Sequence, residues 1–290
     1  MPDQEAVVVT YNALPHVARC LESLKRYDTV VVDHGSTDGT LELVRDRFPQ
    51  MRLVEKENRG LGAGWNRGMV ETSAPFVLVL NSDAWVLGEA GERLREFADQ
   101  HERAGFVAPR LLNPDGTLQP SVRAFPTPWR LATEYLFLRK LAPRSRALNA
   151  FYGAGFAHDE SREIDFAKAA AFLLRRAAFE KVGGFDEEFF LFSEETDWCY
   201  RARLNGWRSY FCPDAEVMHV GGATWRRESA TLYREQVRGH LRFLAKHEGR
   251  RAADRARRVL LAGLRLRSVL FRGERAAVYR DTADWLRSTR

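Results

Sequence analysis

The segment that most constrains the fold is the apolar run at residues 77–80, which leads directly into Asn81, Ser82 and Asp83. A short, continuous apolar run predicts a strand that is buried on both faces, as in a parallel sheet. The carboxyl ends of strands in open α/β sheets form ligand sites. Asp83 is therefore either a metal-competent carboxylate at such an edge or only a cap for the next turn, and the neighbouring segments have to decide.

Short apolar segments alternate with amphipathic segments through the first hundred residues. We predict strands over 6–10, 29–32, 52–55 and 76–80, and helices over 14–26, 37–48, 64–72 and 89–100. Strands separated by helices of this length form βαβ units with a parallel sheet. We therefore predict an α/β fold that is Rossmann-like, with a mostly parallel central sheet and flanking helices.

The second half of the chain is less regular. We predict strands at 105–108 and 209–212, an apolar segment at 167–174, and helices over 130–141, 176–182 and 196–205. From residue 230 onward the pattern is helical and arginine-rich, with breaks expected at Gly249, Gly263 and Gly273. We predict a catalytic domain over 1–228 and a basic, C-terminal helical extension over 229–290.

Composition limits the class of protein. Three cysteines without ligand spacing predict reduced thiols, and the acidic amino terminus is no secretory signal, so we expect a cytoplasmic protein. No apolar run approaches the roughly 20 residues of a membrane span. The net charge of +6 is concentrated after Arg226. We find no nucleic-acid motif and expect no nucleic-acid partner.

The arginine-rich tail has two interpretations. Its basic amphipathic pattern suits an anionic membrane surface, which would place the protein on the inner face of the membrane. Alternatively, the helix packs on the catalytic domain and exposes a solvated basic face. A homodimer formed through the tail is also possible.

Polar residues follow the first two predicted strands. Tyr11 can stack on a nucleobase whose edge Thr10 and Asn12 read, although a plain turn would explain these residues as well. Asp33 ends the second strand, where a carboxylate can accept from a ribose or a base. Asp38 is equally well explained as a helix cap.

The glycines within residues 58–68 allow close backbone approach to a phosphate. They resemble a dinucleotide fingerprint only loosely, because that fingerprint belongs after the first strand and this segment follows the third. We therefore reject a Rossmann dehydrogenase.

Acids and aromatics interleave at residues 183–197. Carboxylates beside apolar rings have raised proton affinity, which suits a general base. Helix-start acids alone would account for Glu194 and Asp197. His219, which precedes two glycines, can reach a metal or a diphosphate, although a lone histidine is more often structural.

Taken in order, these segments resemble the inverting, GT-A-fold glycosyltransferases of family two, from about residue 6 to residue 225. Residues 108–116, followed by 120–123, are similar to the bacterial rhamnosyltransferase-type branch. Two departures stand out. His34 occupies a position where Asn or Asp is usual, and Glu195 replaces the more frequent Asp.

The resemblance implies roles for particular residues. It implies a catalytic base at Glu195 and a divalent metal, Mg²⁺ or Mn²⁺, on Asp83 and His219. Acceptor-side candidates are Glu194, Asp197 and Trp225. Nucleotide-sugar contacts are implied for Thr10, Tyr11, Asn12, Asp33, His34, Ser36, Asn58, Gly62, Asn66, Asn81 and Ser82.

The implied activity is transfer of a sugar, with inversion, from a nucleoside-diphosphate sugar to a glycan or lipid-linked acceptor in cell-envelope polysaccharide synthesis. dTDP-rhamnose or a UDP-sugar is the favoured donor. The alternative is a non-catalytic GT-A-like protein that binds a glycan or a protein partner. A nucleotidyltransferase would need a basic, glycine-rich loop after the first strand, and residues 12–15 are not such a loop.

Overall fold

The alternation of strands and helices in the first hundred residues is confirmed by a computed structural model that describes residues 3–143, 145–153, 155–221 and 229–289. The elements of this half, in chain order, are β1 (Gln4–Thr10), α1 (Leu14–Glu22), β2 (Asp28–Asp33), α2 (Thr40–Arg47), β3 (Arg52–Glu55), α3 (Leu61–Glu71), β4 (Phe76–Asn81), β5 (Ala84–Val86) and α4 (Ala90–Gln100).

The second half completes the sheet and adds three long helices at the carboxyl end. Its elements are β6 (Ala104–Leu112), β7 (Val122–Arg123), α5 (Pro128–Tyr135), a 3₁₀ turn (Leu138–Lys140), α6 (Arg146–Asn149), a second 3₁₀ turn (Ala150–Tyr152), β8 (Arg162–Ile164), β9 (Phe166–Ala167), β10 (Ala171–Arg175), α7 (Arg176–Val182), α8 (Glu194–Leu204), β11 (Arg208–His219), α9 (Ser229–His247), α10 (Arg250–Leu270) and α11 (Gly273–Ser288).

The central sheet has the strand order β3-β2-β1-β4-β10-β6-β11-β5, with β8 beside β11. Strands β1 to β4 are mutually parallel, and β10 runs antiparallel to both β4 and β6. The register pairs Thr10 with Asp33 and Val9 with Asn81. The polar residues that end β1, β2 and β4 therefore share one edge of the sheet, as the sequence pattern predicted.

Strand β11 is longer than the predicted strand at 209–212. Its pairing with β6 shifts register between Cys212 and Glu216 and then continues to Met218. Pro213 lies in this irregularity, where its missing N–H costs no ladder hydrogen bond. The continuation carries His219 to the carboxyl end of the strand, opposite Ala84.

Helix α10 does not break at Gly263, contrary to the expectation. A Cβ atom at this glycine would lie 2.6 Å from Tyr135 Cβ and 2.8 Å from the Tyr135 carbonyl oxygen. The residue is a glycine because α10 crosses α5 at close range, and its backbone stays helical.

The core lies on both faces of the sheet. One buried cluster contains Val7 and Val9 of β1 together with Trp65 and Phe172, and the other contains Ala6 and Val8 on the opposite face. The first cluster also includes Leu244, Leu260, Leu264 and Leu286 of the C-terminal helices. The extension at 229–290 thus shares its core with the sheet, which agrees with the packed-helix interpretation. None of the helices in the described residues combines the length and hydropathy needed to cross a bilayer.

Candidate active site

Asp33 organises the loop between β2 and α2. Its Oδ2 accepts hydrogen bonds from the Thr10 hydroxyl at 2.7 Å and the Ser36 hydroxyl at 2.6 Å. Its Oδ1 accepts from the backbone N–H groups of Gly35 and Ser36 at 2.9 and 2.8 Å. The side chain is fully buried. Asp33 therefore holds this loop, and its expected contact with a ribose or a base stays a prediction.

Tyr11 is the residue of this edge that reaches solvent, with 54% of its surface exposed. It is followed by Asn12, whose φ of +50° lies in the left-handed region. The Asn12 side-chain oxygen accepts a hydrogen bond from the Thr37 N–H, and the backbone N–H of Asn12 donates one to Ser36 Oγ, both at 2.9 Å. This turn leaves the Tyr11 ring free to stack on a planar ligand. Asp38, in contrast, accepts from the Leu14 and Thr40 N–H groups at the first residues of α1 and α2, although the N-cap of α2 is Gly39.

His34 lies under the same edge and is almost fully buried. Burial lowers the pKa of His34 below its ordinary value, and the nearby Asp33 charge and a hydrogen bond to Asn58 offset that effect only in part. A Cβ atom at Gly64 would lie 3.0 Å from His34 Cε1. A neutral imidazole therefore packs against the first turn of α3.

The glycines of the 58–68 segment face protein, not an open phosphate site. A Cβ at Gly68 would lie 2.3 Å from Val7 Cγ1, and one at Gly60 would lie 2.4 Å from the Phe190 carbonyl oxygen. Gly62, which was expected to contact the nucleotide sugar, lies against Phe185 and Glu194 instead. These glycines let α3 pack tightly on β1 and on residues 183–193, which we call the acidic loop.

Asn66 joins α3 to Phe185, and its expected contact with the nucleotide sugar stays a prediction. Its amide accepts from the Phe185 N–H at 2.7 Å and donates to the Phe185 carbonyl at 2.8 Å. Asn66 therefore clips the acidic loop to α3, and both ends of its amide are used.

Asp83 and His219 lie together at the sheet edge, with 3.4 Å between Asp83 Oδ1 and His219 Nε2. Burial raises the pKa of Asp83, but the hydrogen bond and charge of His219, with backbone N–H groups, outweigh it and leave the pKa below its ordinary value. Asp83 is thus a carboxylate at neutral pH, half-enclosed and beside an imidazole nitrogen.

Gln119 orients His219, although it was not predicted from the sequence as a site residue. Its amide nitrogen donates to Asn113 Oδ1 at 2.8 Å and to the His219 carbonyl at 3.2 Å, so its oxygen faces His219 Nδ1 at 2.7 Å. The imidazole therefore donates from Nδ1 to Gln119, and its Nε2 faces Asp83 Oδ1. A hydrogen bond of this kind on the remote ring nitrogen is typical of metal-ligating histidines. No spacing rule in the sequence links residues 119 and 219.

The donor set fits a divalent cation that a diphosphate would share. Among the described residues, no group of three or more His, Cys, Asp or Glu side chains is placed to hold a metal ion. Mg²⁺ usually takes one or two carboxylates, with phosphate oxygens and water completing its shell. Asn81 Oδ1 is buried nearby in the chain without a hydrogen-bond partner, an acceptor available to a ligand or water. Ser82 follows at the partly buried turn.

The acidic loop ends in a strained turn at the start of α8. Phe192 and Ser193 both have positive φ, at +68° and +74°. This backbone conformation is costly for non-glycine residues and clusters at functional sites. It delivers Glu194 and Glu195 into the interior, where one carboxylate oxygen of each is buried without a hydrogen-bond partner.

The two glutamates have unusual proton affinities. Burial raises the pKa of Glu195 to about 7, against backbone hydrogen bonds that favour its charged form. Burial, followed by the charge of Glu195, raises the pKa of Glu194 well above its ordinary value. Glu195 can therefore exchange a proton near neutral pH, whereas Glu194 stays protonated.

Asp197 links α8 to α9, and its expected acceptor-side role stays a prediction. Its buried Oδ2 accepts from Arg201 at 2.7 Å, and its Oδ1 lies 2.7 Å from both Lys246 and His247 of α9. Burial would raise the pKa of Asp197, but hydrogen bonds from His247, Lys246 and Arg201 outweigh it and hold the value at about 2. The sequence offered no signal that residues fifty positions apart would form this cluster.

Helix α9 holds the acidic loop at further points. Arg242 pairs with Glu188 at 2.6 Å, and Lys246 pairs with Asp186 at 2.7 Å. A Cβ atom at Gly239 would lie 2.7 Å from Ser193 Oγ, so α9 packs directly on the strained turn. The predicted acceptor-side residue Trp225 lies outside the described residues.

The fold and this site define a glycosyltransferase of the GT-A type, and comparisons with known proteins agree. Residues 5–183 match the family described as "Glycosyl transferase family 2". N-acetylglucosaminyl-diphospho-decaprenol L-rhamnosyltransferase of Mycobacterium tuberculosis is 31% identical over 84% of this chain and 84% of its own length. The chain belongs to glycosyl transferase family 2, as the resemblance predicted, and is rhamnosyltransferase-like.

Solved structures support the fold. The crystal structure of S. aureus TarS matches 91% of this chain with a TM-score of 0.56 at 19% identity, and the chain spans 43% of that protein. The crystal structure of GalNAc-T7 with UDP, GalNAc and Mn²⁺ matches 98% of this chain with a TM-score of 0.60 at 15% identity, and the chain spans 55% of it.

Proposed function

We propose that this protein transfers a sugar from a nucleoside diphosphate to an acceptor hydroxyl with inversion of the anomeric centre. The observation that carries the proposal is a division between carboxylates. Asp83, paired with His219, is ionised at the sheet edge, and Glu195, buried with one carboxylate oxygen lacking a hydrogen-bond partner, titrates near neutral pH. Leaving-group chemistry and proton chemistry thus have separate residues, as a single displacement requires.

In this mechanism Glu195 accepts the proton of the acceptor hydroxyl as the oxygen attacks the anomeric carbon. The bond to the donor diphosphate breaks on the opposite side, and one displacement inverts the centre. Asp83 and His219 would hold a divalent metal, which when bound neutralises charge on the departing diphosphate. Tyr11 would stack on the base, beside the neutral His34.

The relatives suggest which donor and acceptor to test first. The Mycobacterium tuberculosis relative is named for rhamnosyl transfer to an N-acetylglucosaminyl-diphospho-decaprenol. GalNAc-T7 was crystallised with UDP and Mn²⁺. We propose dTDP-rhamnose or a UDP-sugar as donor, Mg²⁺ or Mn²⁺ as cofactor, and a diphospho-lipid-linked glycan as acceptor, in cell-envelope polysaccharide synthesis.

We expect UDP or dTDP, together with Mn²⁺, to raise the melting temperature, and Asp83→Asn to abolish the Mn²⁺-dependent part. Loss of the carboxylate removes the anionic protein ligand, whereas Tyr11 and the loop held by Asp33 remain. A thermal-shift screen with UDP, dTDP and GDP, with and without Mn²⁺, measures this directly. Asp115→Asn, in an exposed turn, is the matched control.

The companion assay is sugar transfer to a diphospho-lipid acceptor, with and without chelator. Transfer that survives chelation and Asp83→Asn would contradict the metal assignment. Donor binding with no transfer or hydrolysis under any condition would favour the non-catalytic binding protein.

We expect Gln119→Leu to weaken Mn²⁺ binding by about 10–100-fold, the usual effect of losing an outer-shell partner. Leucine cannot accept from His219 Nδ1, so the imidazole loses its orientation and fixed tautomer. Gln119→Glu keeps an acceptor oxygen at the same place and should bind the metal nearly as well as the wild type. Calorimetric titration with Mn²⁺ and a nucleoside diphosphate measures both variants. Equal Mn²⁺ affinities of Gln119→Leu and Gln119→Glu would show that Gln119 does not orient His219 for metal binding.

A further inference from the structure

Helix α10 has one buried face and one strongly basic face. Its inner side carries the buried residues Leu260 and Leu264. Its outer side carries exposed arginines spaced four, three and seven residues apart, which places them on one helix face: Arg251, Arg255, Arg258 and Arg265. We call these four residues the basic stripe. Asp254 is the one acid within α10.

The outer face becomes apolar at its carboxyl end. Leu266, Val269 and Leu270 are 39%, 80% and 61% exposed, and we call these three residues the apolar tip. Phe271, the next residue, has its ring 6.2 Å from that of Phe137, which brings the 3₁₀ turn Leu138–Lys140 alongside. Leu141, directly after that turn, is 80% exposed. Three aliphatic side chains this open at one helix end are unusual on a soluble surface.

We propose that the apolar tip and the basic stripe together dock the protein on an anionic lipid bilayer. Arginines attract anionic headgroups, and aliphatic side chains enter the boundary between headgroups and acyl chains. The tip is short, so docking is peripheral and salt-sensitive. The link between docking and substrate rests on the proposed function, because a lipid-linked acceptor lies in a bilayer surface.

The same charges disfavour the two other occupants. A symmetric dimer that covered the whole outer face would bury both basic stripes with no acidic partner beyond Asp254 of each helix. A nucleic acid would engage the stripe but offers no apolar phase for the tip, whose exposure would then remain unexplained. A bilayer satisfies both parts of the surface at once.

The test is flotation of the full-length protein with vesicles of phosphatidylcholine alone or with added phosphatidylglycerol. We expect binding only to the anionic vesicles, falling steeply as salt is raised. Leu266→Ser/Val269→Ser/Leu270→Ser should lower the partition coefficient by about tenfold or more. Arg255→Glu/Arg258→Glu should lower it by a similar factor.

Matched controls change equivalent exposed residues elsewhere on the surface. Val70→Ser/Leu204→Ser removes two exposed aliphatics, and Arg103→Glu/Lys181→Glu makes the same charge change. Both should bind vesicles like the wild type. Transfer to a water-soluble acceptor should be unchanged in all four variants, which separates failure of docking from failure of the proposed activity.

Several results would overturn the inference. They are absence of binding to anionic vesicles at low salt, equal binding by tip, stripe and control variants, or a sedimenting dimer that the tip variant alone dissociates. Tighter binding to RNA than to anionic vesicles, lost in the stripe variant but kept in the tip variant, would also overturn it.

Discussion

Glu195→Gln is expected to lower kcat for sugar transfer by about 10³-fold, the usual contribution of a general base. Glutamine keeps the size and shape of the side chain, but its amide accepts no proton near neutral pH. Donor binding should be nearly intact, because the proposed nucleotide contact, Tyr11, and the loop held by Asp33 follow other elements, β1 and β2. Single-turnover transfer and a nucleotide titration measure the two quantities separately.

Glu194→Gln is the matched control for this prediction. Glu194 precedes Glu195 and is equally buried, but its raised pKa keeps it protonated, so glutamine imitates the form already present. We expect a much smaller loss of kcat. In the wild type, kcat should rise with pH to a plateau above about 7, as Glu195 loses its proton. Equal losses in both variants would show that the base has been assigned wrongly.

The burial of Glu195 predicts that stability falls as pH rises, whereas kcat increases. The folded-state pKa of Glu195 is about 7 against an ordinary value of 4.5, so the folded protein holds a proton that the unfolded chain has released between these values. The wild-type free energy of unfolding should therefore fall as pH rises through this window. Glu195→Gln should be stabilised relative to the wild type above the window and not below it, as urea denaturation can measure.

Asp197→Asn is expected to destabilise the fold by about 3–5 kcal/mol, the typical cost of breaking a buried ion pair from one side. Arg201, Lys246 and His247 converge on this carboxylate, and its removal takes the paired negative charge away from Arg201 and leaves Lys246 with Asp186 alone. Chemical denaturation at neutral pH measures the loss. Asp99→Asn breaks the exposed pair with Arg95 and should cost at most about 1 kcal/mol.

The pH dependence of the same cluster has a definite sign. The folded-state pKa of Asp197 is about 2 against an ordinary value of 3.8, so its stabilising effect is complete above the higher value. It is lost as pH falls toward about 2. The acid limb of the stability profile should be shallower in Asp197→Asn. A profile parallel to that of the wild type would mean that Asp197 is not the group concerned.

The sequence predicted the fold well where local pattern and topology agree. The apolar run before Asn81 is a buried central strand, and the parallel register then requires the ends of β1, β2 and β4 to meet. Strand β11 was predicted too short because Pro213 is locally unfavourable in a strand, and only the pairing with β6 shows that the bulge tolerates it.

The site was less predictable because its side chains are held by long-range contacts. The glycines of the 58–68 segment have the composition of a phosphate loop, yet their lack of side chains serves the approach of α3 to Val7 and Phe190. Gln119 and Lys246 have no motif of their own. Their roles follow from where β11 and α8 place His219 and Asp197, which a single sequence does not encode locally.

The contacts between α9 and the acidic loop bear on how relatives of this protein could be recombined. One set of contacts joins the acids at 186, 188 and 197 to the basic residues at 242, 246 and 247, although forty or more positions separate them. A hybrid protein joined at residue 228 would combine the acidic loop of one parent with the α9 helix of another. A junction at the Gly183–Gly184 pair, where the family match ends, would keep this set of contacts whole.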